Sequence, residues 1–236
     1  MNPLGQPKRL EGPDREFALR GYLMLAGMFV ASLVTCNLIF RKFFQWEILG
    51  LDFQQSVGLL PYPITFLVTD LISEIYGKKR ANHVVLAGLL ASVFVLLIIT
   101  VAGLAEGASW SPVSNEQFDH VFGQTALAVG ASMAAYLLAQ SLDVQVFHFW
   151  KGLTQGKHLW LRNNLSTIPS QIIDTATVLG LLCAVGEIPW GQFGLLFMNG
   201  VGFKAIMALI DTPLVYLGVG FMRRRLGLGV GQEVEF

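Results

Sequence analysis

The chain has 236 residues, 53% of them hydrophobic and 14% charged, with sixteen Lys and Arg balanced by sixteen Asp and Glu and a mean hydropathy of +0.56. Soluble domains carry roughly 25% charged residues, so this composition excludes an ordinary soluble domain and points to an all-α integral membrane protein. The neutral balance carries no nucleic-acid signal, and no nucleic-acid partner is expected.

A polar arm at residues 1–20 comes first, and apolar runs near the ~20 residues needed to cross a bilayer follow at 22–40, 57–76, 83–104, 121–142, 165–185 and 193–221. The first run reads as an uncleaved anchor rather than a signal peptide, because the long charged arm precedes it. Between the first two runs, Trp46, Ile48, Leu51 and Phe53 surround Gly50, a pattern that fits an outward-facing hairpin, an interfacial lid or a plain aromatic belt. The second run starts with Pro61 and Pro63, leaving about fourteen helical residues before Tyr76, which predicts a short or broken helix ending at a binding pocket. On the fourth run Gly130 and Ala134, and Ala131 and Ala135, stand four apart and permit close helix packing. That packing is read as internal, and a homodimer stays open. Cys36 and Cys183 lie within runs and read as small packing residues, not a disulfide. After Arg225 a Gly-rich tail, 226–236, is expected to be flexible.

Threading six spans puts thirteen basic residues on one side, against Arg41 and Lys42 on the other, with Lys204 inside the sixth span. By the positive-inside rule both termini are cytoplasmic and residues 21–225 form one membrane domain of six helices in the cytoplasmic (inner) membrane.

Ionisable groups inside a bilayer are costly and mark functional sites by default. Asp70 and Glu74 on the second span, Asp174 on the fifth, and Lys204 and Asp211 on the sixth sum to a net charge of −3. Arg80 and Arg162 reaching in, protonated carboxyls or a donor-rich solute would balance it. Lys204 should pair with Asp174 or Glu74. The fifth span carries two polar rows, Arg162, Ser166, Ser170 and Asp174 beside Asn163, Thr167, Gln171 and Thr175. They cover about half the helix circumference at ~100° per residue, while Leu165, Ile168, Ile172 and Ile173 cover the rest. A helix so divided lines a polar cavity, and Pro169 in its middle should kink or open it. His83, His120, His148 and His158 fall near expected membrane edges or loops. No nucleophile–base set, metal-ligand spacing or phosphate-cradling loop is present, so no enzyme, metal or cofactor is expected.

Two strings, ITFLVTDLISEIYGKKRA from Ile64 to Ala81 and RNNLSTIPSQIIDT from Arg162 to Thr175, resemble the signature of the queuosine precursor transporter family, also called the vitamin uptake transporter family. The resemblance runs from about Tyr22 to Arg225. It implies a six-helix bundle like the substrate-binding subunits of energy-coupling-factor vitamin transporters, and uptake of 7-cyano-7-deazaguanine or a related deazapurine for making queuosine in tRNA. The binding residues expected are Asn37, Thr65, Asp70, Glu74, Tyr76, Asn163, Thr167, Ser170, Gln171, Asp174, Lys204 and Asp211. A carboxylate suits the two adjacent N–H donors of a guanine-like edge, an Asn, Gln or Lys suits its carbonyl, and Phe66, Tyr76 or Phe203 would face the ring. A transporter working alone is favoured, as a facilitator rather than a proton-coupled carrier. A capture subunit serving an ATPase partner is the alternative.

Overall fold

A computed structural model describes residues 6–48, 50–123 and 126–235. In chain order they form strand β1 (Lys8–Arg9), helix α1 (Gly12–Ile39), a hairpin of β2 (Phe43–Ile48) and β3 (Leu51–Ser56), a 3-10 turn (Val57–Leu59) and α2 (Tyr62–Ile75). Then come α3 (Lys78–Gly103), α4 (Asn115–Phe122), α5 (Ala126–Leu153), α6 (Leu159–Ala184), α7 (Trp190–Leu226) and β4 (Val234–Glu235). Five segments among the described residues, 12–39, 57–75, 78–103, 159–184 and 190–226, are long and apolar enough to cross a membrane.

The bundle has two distinct ends. At one, the hairpin meets the first turns of α7 and the residues before the hairpin approach the α6–α7 connection: Gln55 Nε2 donates to the Leu196 carbonyl at 2.6 Å, and Arg41 lies 3.9 Å from Glu187. At the other, both termini gather: Arg225 pairs with Asp14 at 2.8 Å, and β1 runs parallel to β4. The segment after Arg225, expected to be flexible, thus carries a strand paired to the N-terminal arm, and Arg80 donates to the Val234 carbonyl at 2.7 Å.

Local sequence explains these elements. α1 opens with Pro13 in its first turn, where no N–H is missed. Ser114 and Gln117 form a reciprocal capping box on α4. α7 ends on Gly227 in the left-handed region, with Arg223, Arg224 and Arg225 in its last turn opposite the helix dipole. The hairpin is antiparallel from Phe43 opposite Ser56 to Ile48 opposite Leu51, and Gly50 supplies the positive φ its turn needs.

Burial sorts the helices into two classes. The best membrane-spanning window of α1 is 17% buried and that of α2 is 61% buried, so α2 is an inner element while α1 turns most of its surface outward. Leu23, Met24 and Met28 on α1, Leu90, Leu97 and Val101 on α3, and Leu209 and Leu217 on α7 form an exposed apolar coat suited to lipid. α6 is arranged the other way: Arg162, Asn163, Ser166, Thr167, Ser170, Gln171 and Asp174 are buried while Leu165, Ile172 and Ile173 are exposed. This matches the polar and apolar halves read from its sequence. α6 is unbroken through Pro169, contrary to the expected opening. α5 reaches Leu153, beyond the expected end at 142, so Asp143 and Lys151 are helical. Of the small-residue pattern, Gly130 and Ala134 are exposed and Ala135 is buried, and the Ala131 side chain lies outside the described residues. So do the side chains of Ile48 and Leu51.

Candidate functional site

Polar side chains form three levels down the bundle, from the hairpin end to the terminal end. The first is a cavity of about 150 Å³ between α1, the hairpin, α2, α5, α6 and α7. Asp174 on α6 and Lys204 on α7 lie at its floor. Lys204 Nζ donates to Asp174 Oδ2 at 2.7 Å and to Thr175 Oγ1 at 3.0 Å, and lies 4.4 Å from the centroid of the Tyr62 ring. The pair is 5–6% exposed, so the charges meet with little solvent between them. Asn37, Phe40 and Phe43 contribute to the walls, together with Gln55, Tyr136 and Gly200. Gly200 allows a close approach: a Cβ there would lie 3.1 Å from Gln55 Nε2 and 3.2 Å from Thr175 Cγ2, so either side chain would have to shift.

The second level is acidic. Asp70 on α2 and Asp143 on α5 are 2% and 0% exposed. Thr167 Oγ1 donates to Asp70 Oδ2 at 3.4 Å, and Ser170 Oγ lies 3.3 Å from Asp143 Oδ1, both hydroxyls projecting from one turn of α6. Among the described residues neither carboxylate has a basic partner within ion-pair distance.

The third level is an ionic cluster at the terminal end. Glu74, wholly buried, pairs with Arg162 at 2.6 Å, with Lys151 at 3.7 Å and with Arg223. Lys151 Nζ also donates to the Ser73 and Glu74 carbonyls at 3.3 and 3.1 Å, where it opposes the negative end of α2. Its remaining partner is Glu233 of the tail, at 2.9 Å. Glu233 sits against Gly77, whose φ of +84° joins α2 to α3 and whose missing side chain makes room for the carboxylate.

The expected binding residues are therefore not one set. Asn37, Asp174 and Lys204 line the cavity; Asp70, Thr167 and Ser170 belong to the acidic level; Glu74 belongs to the ionic cluster. Asn163 and Gln171 are buried on α6 one turn either side of Thr167, and Asp211 is buried on α7 two turns beyond Lys204. Thr65 donates to the Tyr62 carbonyl at 2.6 Å, inside α2. Tyr76 donates to the Ala18 carbonyl at 2.9 Å and packs on Tyr22, at the terminal end. The aromatic walls are Tyr62, Phe40, Phe43 and Tyr136, not Phe66, Tyr76 or Phe203. α2 begins at the cavity and runs away from it, so Asp70 and Glu74 lie progressively farther off than a helix ending at the pocket would put them.

Lys204 chose Asp174 of the two partners expected, since Glu74 is held by three other cations. Arg162 reaches in as expected. Arg80 bonds the Tyr76 and Val234 carbonyls at 3.2 and 2.7 Å. Sequence reasoning missed Asp143, Lys151 and Tyr62. His148, expected near a membrane edge or loop, lies in the last two turns of α5.

Comparison with known proteins agrees on what kind of molecule this is. The model of a family described as putative vitamin uptake transporter matches residues 56–218, more than half of the chain. The chain is 28% identical over 171 residues to a probable queuosine precursor transporter of Bacillus subtilis (strain 168), covering 72% of this chain and 73% of that one. It is 30% identical over 125 residues to the queuosine precursor transporter of Escherichia coli (strain K12), covering 53% of each. It is 28% identical over 188 residues to a probable queuosine precursor transporter of Haemophilus influenzae (strain ATCC 51907 / DSM 11121 / KW20 / Rd), covering 78% of this chain and 76% of that one. No solved structure matches the chain. A multi-pass membrane protein with an inward-facing polar α6, matched over most of its helices, this chain belongs to the queuosine precursor transporter family, whose members are transporters rather than enzymes.

Proposed function

We propose that the chain imports 7-cyano-7-deazaguanine or a related deazapurine across the cytoplasmic membrane, and that the cargo binds beside Asp174 and Lys204. The observation that carries this reading is the buried Asp174–Lys204 pair under the Tyr62 ring in a compact cavity. Ligand pockets for drug-sized molecules run ~300–1,000 Å³, so a cavity of about 150 Å³ restricts the cargo to something close to a bare fused ring. Asp174 can accept two adjacent N–H groups, Lys204 can donate to a carbonyl, and Tyr62 and Phe40 offer flat apolar faces. Because the two charges cancel, a neutral solute leaves the site balanced.

In this reading α5 is the sixth crossing, residues 21–225 form the transport domain, and the terminal end is cytoplasmic. Two features support that orientation: the ionic cluster and most basic residues lie at the terminal end, while the hairpin end holds Arg41 and Lys42. The cavity then faces outward and the ionic level closes the cytoplasmic side. A capture subunit that needs an ATPase partner is the second reading, and transport by the chain alone is the simpler one.

The test has two stages. Purified protein is screened by thermal shift against purines, deazapurines and vitamins, since a ligand that binds the folded state raises its stability. The hits are then followed into liposomes holding this chain only. Stabilisation by 7-cyano-7-deazaguanine and its uptake support the proposal. Stabilisation without uptake assigns the chain to an ATPase-dependent complex, and stabilisation by a vitamin alone rejects the cargo.

A further inference from the structure

The acidic level has no role in the cargo site as built, and its charge needs an explanation. Two carboxylates from different helices, Asp70 and Asp143, lie in the interior with Thr167 facing both. Asp70 Oδ1 and Asp143 Oδ2 have no hydrogen-bond partner. Every nearby cation is committed elsewhere: Arg162 and Lys151 to Glu74, and Lys204 to Asp174. Arg223 on α7 is likewise held by Glu74, and Glu74 on α2, Tyr136 and His148 on α5, Asp174 on α6 and Asp211 on α7 add no positive charge within ion-pair distance of either carboxylate. Ionising both carboxylates at once is costly in the interior without a compensating cation, so a proton taken up there is stabilised.

A second observation points to something bound there. Gln140 on α5 is wholly buried, and neither its amide nitrogen nor its amide oxygen has a partner. It lies one turn from Asp143 toward the cavity and one turn from Tyr136 in the cavity wall, so it stands between the two levels on the inner face of α5.

We infer that Asp70 and Asp143 form a proton-binding site that couples proton entry to cargo import, with Gln140 as the polar link to the cavity. Bound, the proton resides on one carboxyl and hydrogen-bonds the other, taking the pair from −2 to −1. On release toward the terminal end it leaves both carboxylates to be reprotonated from the cavity side. The hydroxyls at this level already donate, Ser166 to the Asn163 carbonyl, Ser170 to the Ser166 and Thr167 carbonyls, and Thr167 to Asp70, which leaves one oxygen of each carboxylate unpartnered for a proton. Among the described residues no group of three or more carboxylate, His or Cys side chains could hold a metal. This inference rests on the import reading and replaces the facilitator expected from sequence.

Two measurements test it separately from that reading. Infrared spectroscopy of the purified protein near neutral pH, with no cargo present, should show the C=O stretch of a protonated carboxyl, lost in Asp143→Asn and Asp70→Asn and retained in Asp143→Glu. In liposomes loaded with a pH-sensitive dye, labelled 7-cyano-7-deazaguanine should enter with protons. One proton per molecule under a one-unit gradient, acid outside, gives up to about tenfold accumulation. Asp143→Asn should keep exchange of labelled for unlabelled cargo and lose both accumulation and proton entry. Exchange in wild type without proton movement, accumulation driven by sodium, or absence of the infrared band overturns the proton site. Absence of any exchange with the band present overturns the cargo instead.

Discussion

The two ends of the bundle hold buried charge in opposite ways. At the hairpin end, one carboxylate and one ammonium, Asp174 and Lys204, bond each other at the edge of a cavity with room left beside them. At the terminal end, Glu74 is surrounded by Arg162, Lys151 and Arg223, and Glu233 closes the outside of the cluster. A lone pair with spare space can exchange partners for a ligand, whereas a crowded cluster drawn from α2, α5, α6, α7 and the tail joins elements together. The difference teaches that burial of charge alone does not single out a binding site; the proposed site is where buried charge meets open volume.

The harshest way to break the contrast is Glu74→Ala. It would leave the buried Arg162 and Lys151 with too little negative charge, and removing one partner of a buried ion pair costs about 3–5 kcal/mol. The variant should lose most of its folded yield or melt far below wild type in detergent. Wild-type melting would mean that the cluster does not close the terminal end.

The hairpin end should respond differently. Lys204→Met and Asp174→Asn should each destabilise the protein, while the double variant should recover part of the loss, with a coupling of roughly 0.5–3 kcal/mol in a double-mutant cycle. Binding of the cargo should stay lost in all three. No coupling would show that the pair, though 2.7 Å apart, contributes nothing to stability.

Filling space sharpens the comparison further. Gly200→Ala puts a methyl against Gln55 and Thr175, and overpacking costs ~1–3 kcal/mol, so cargo affinity should fall several-fold while the terminal end is unaffected. The smallest effect is expected from Glu233→Gln. Its side chain is 28% exposed and Lys151 keeps Glu74 and two carbonyls, so melting should drop by no more than ~1 kcal/mol in equivalent stability. A large drop would make the tail a principal brace.

Much of this was legible from the sequence because membrane burial inverts the usual pattern: a half-polar α6 must turn its polar half inward, and it does. Of the hairpin, lid or aromatic belt that the residues around Gly50 allowed, the structure shows the hairpin. Asp143 and Lys151 were lost by ending the fourth span at 142, which left Asp143 at a presumed boundary and made Lys151 a topology charge. Gln140, Asp143, Phe147 and Lys151 recur at helical spacing, and that phase was the available signal. The bond from Glu233 to Lys151 had no local signal, since it joins residues 82 apart in sequence. Tyr62 was hidden between two prolines that argued for a break rather than for a helix starting at the cavity wall.

The central claim, that cargo binds at the open pair and not at the crowded cluster, is tested most directly by equilibrium binding of labelled 7-cyano-7-deazaguanine to purified wild type, Asp174→Asn and Glu233→Gln. The prediction is that Asp174→Asn weakens binding by at least about tenfold, equivalent to ~1.4 kcal/mol, while Glu233→Gln binds as wild type does. Undiminished binding by a folded Asp174→Asn protein would contradict the account.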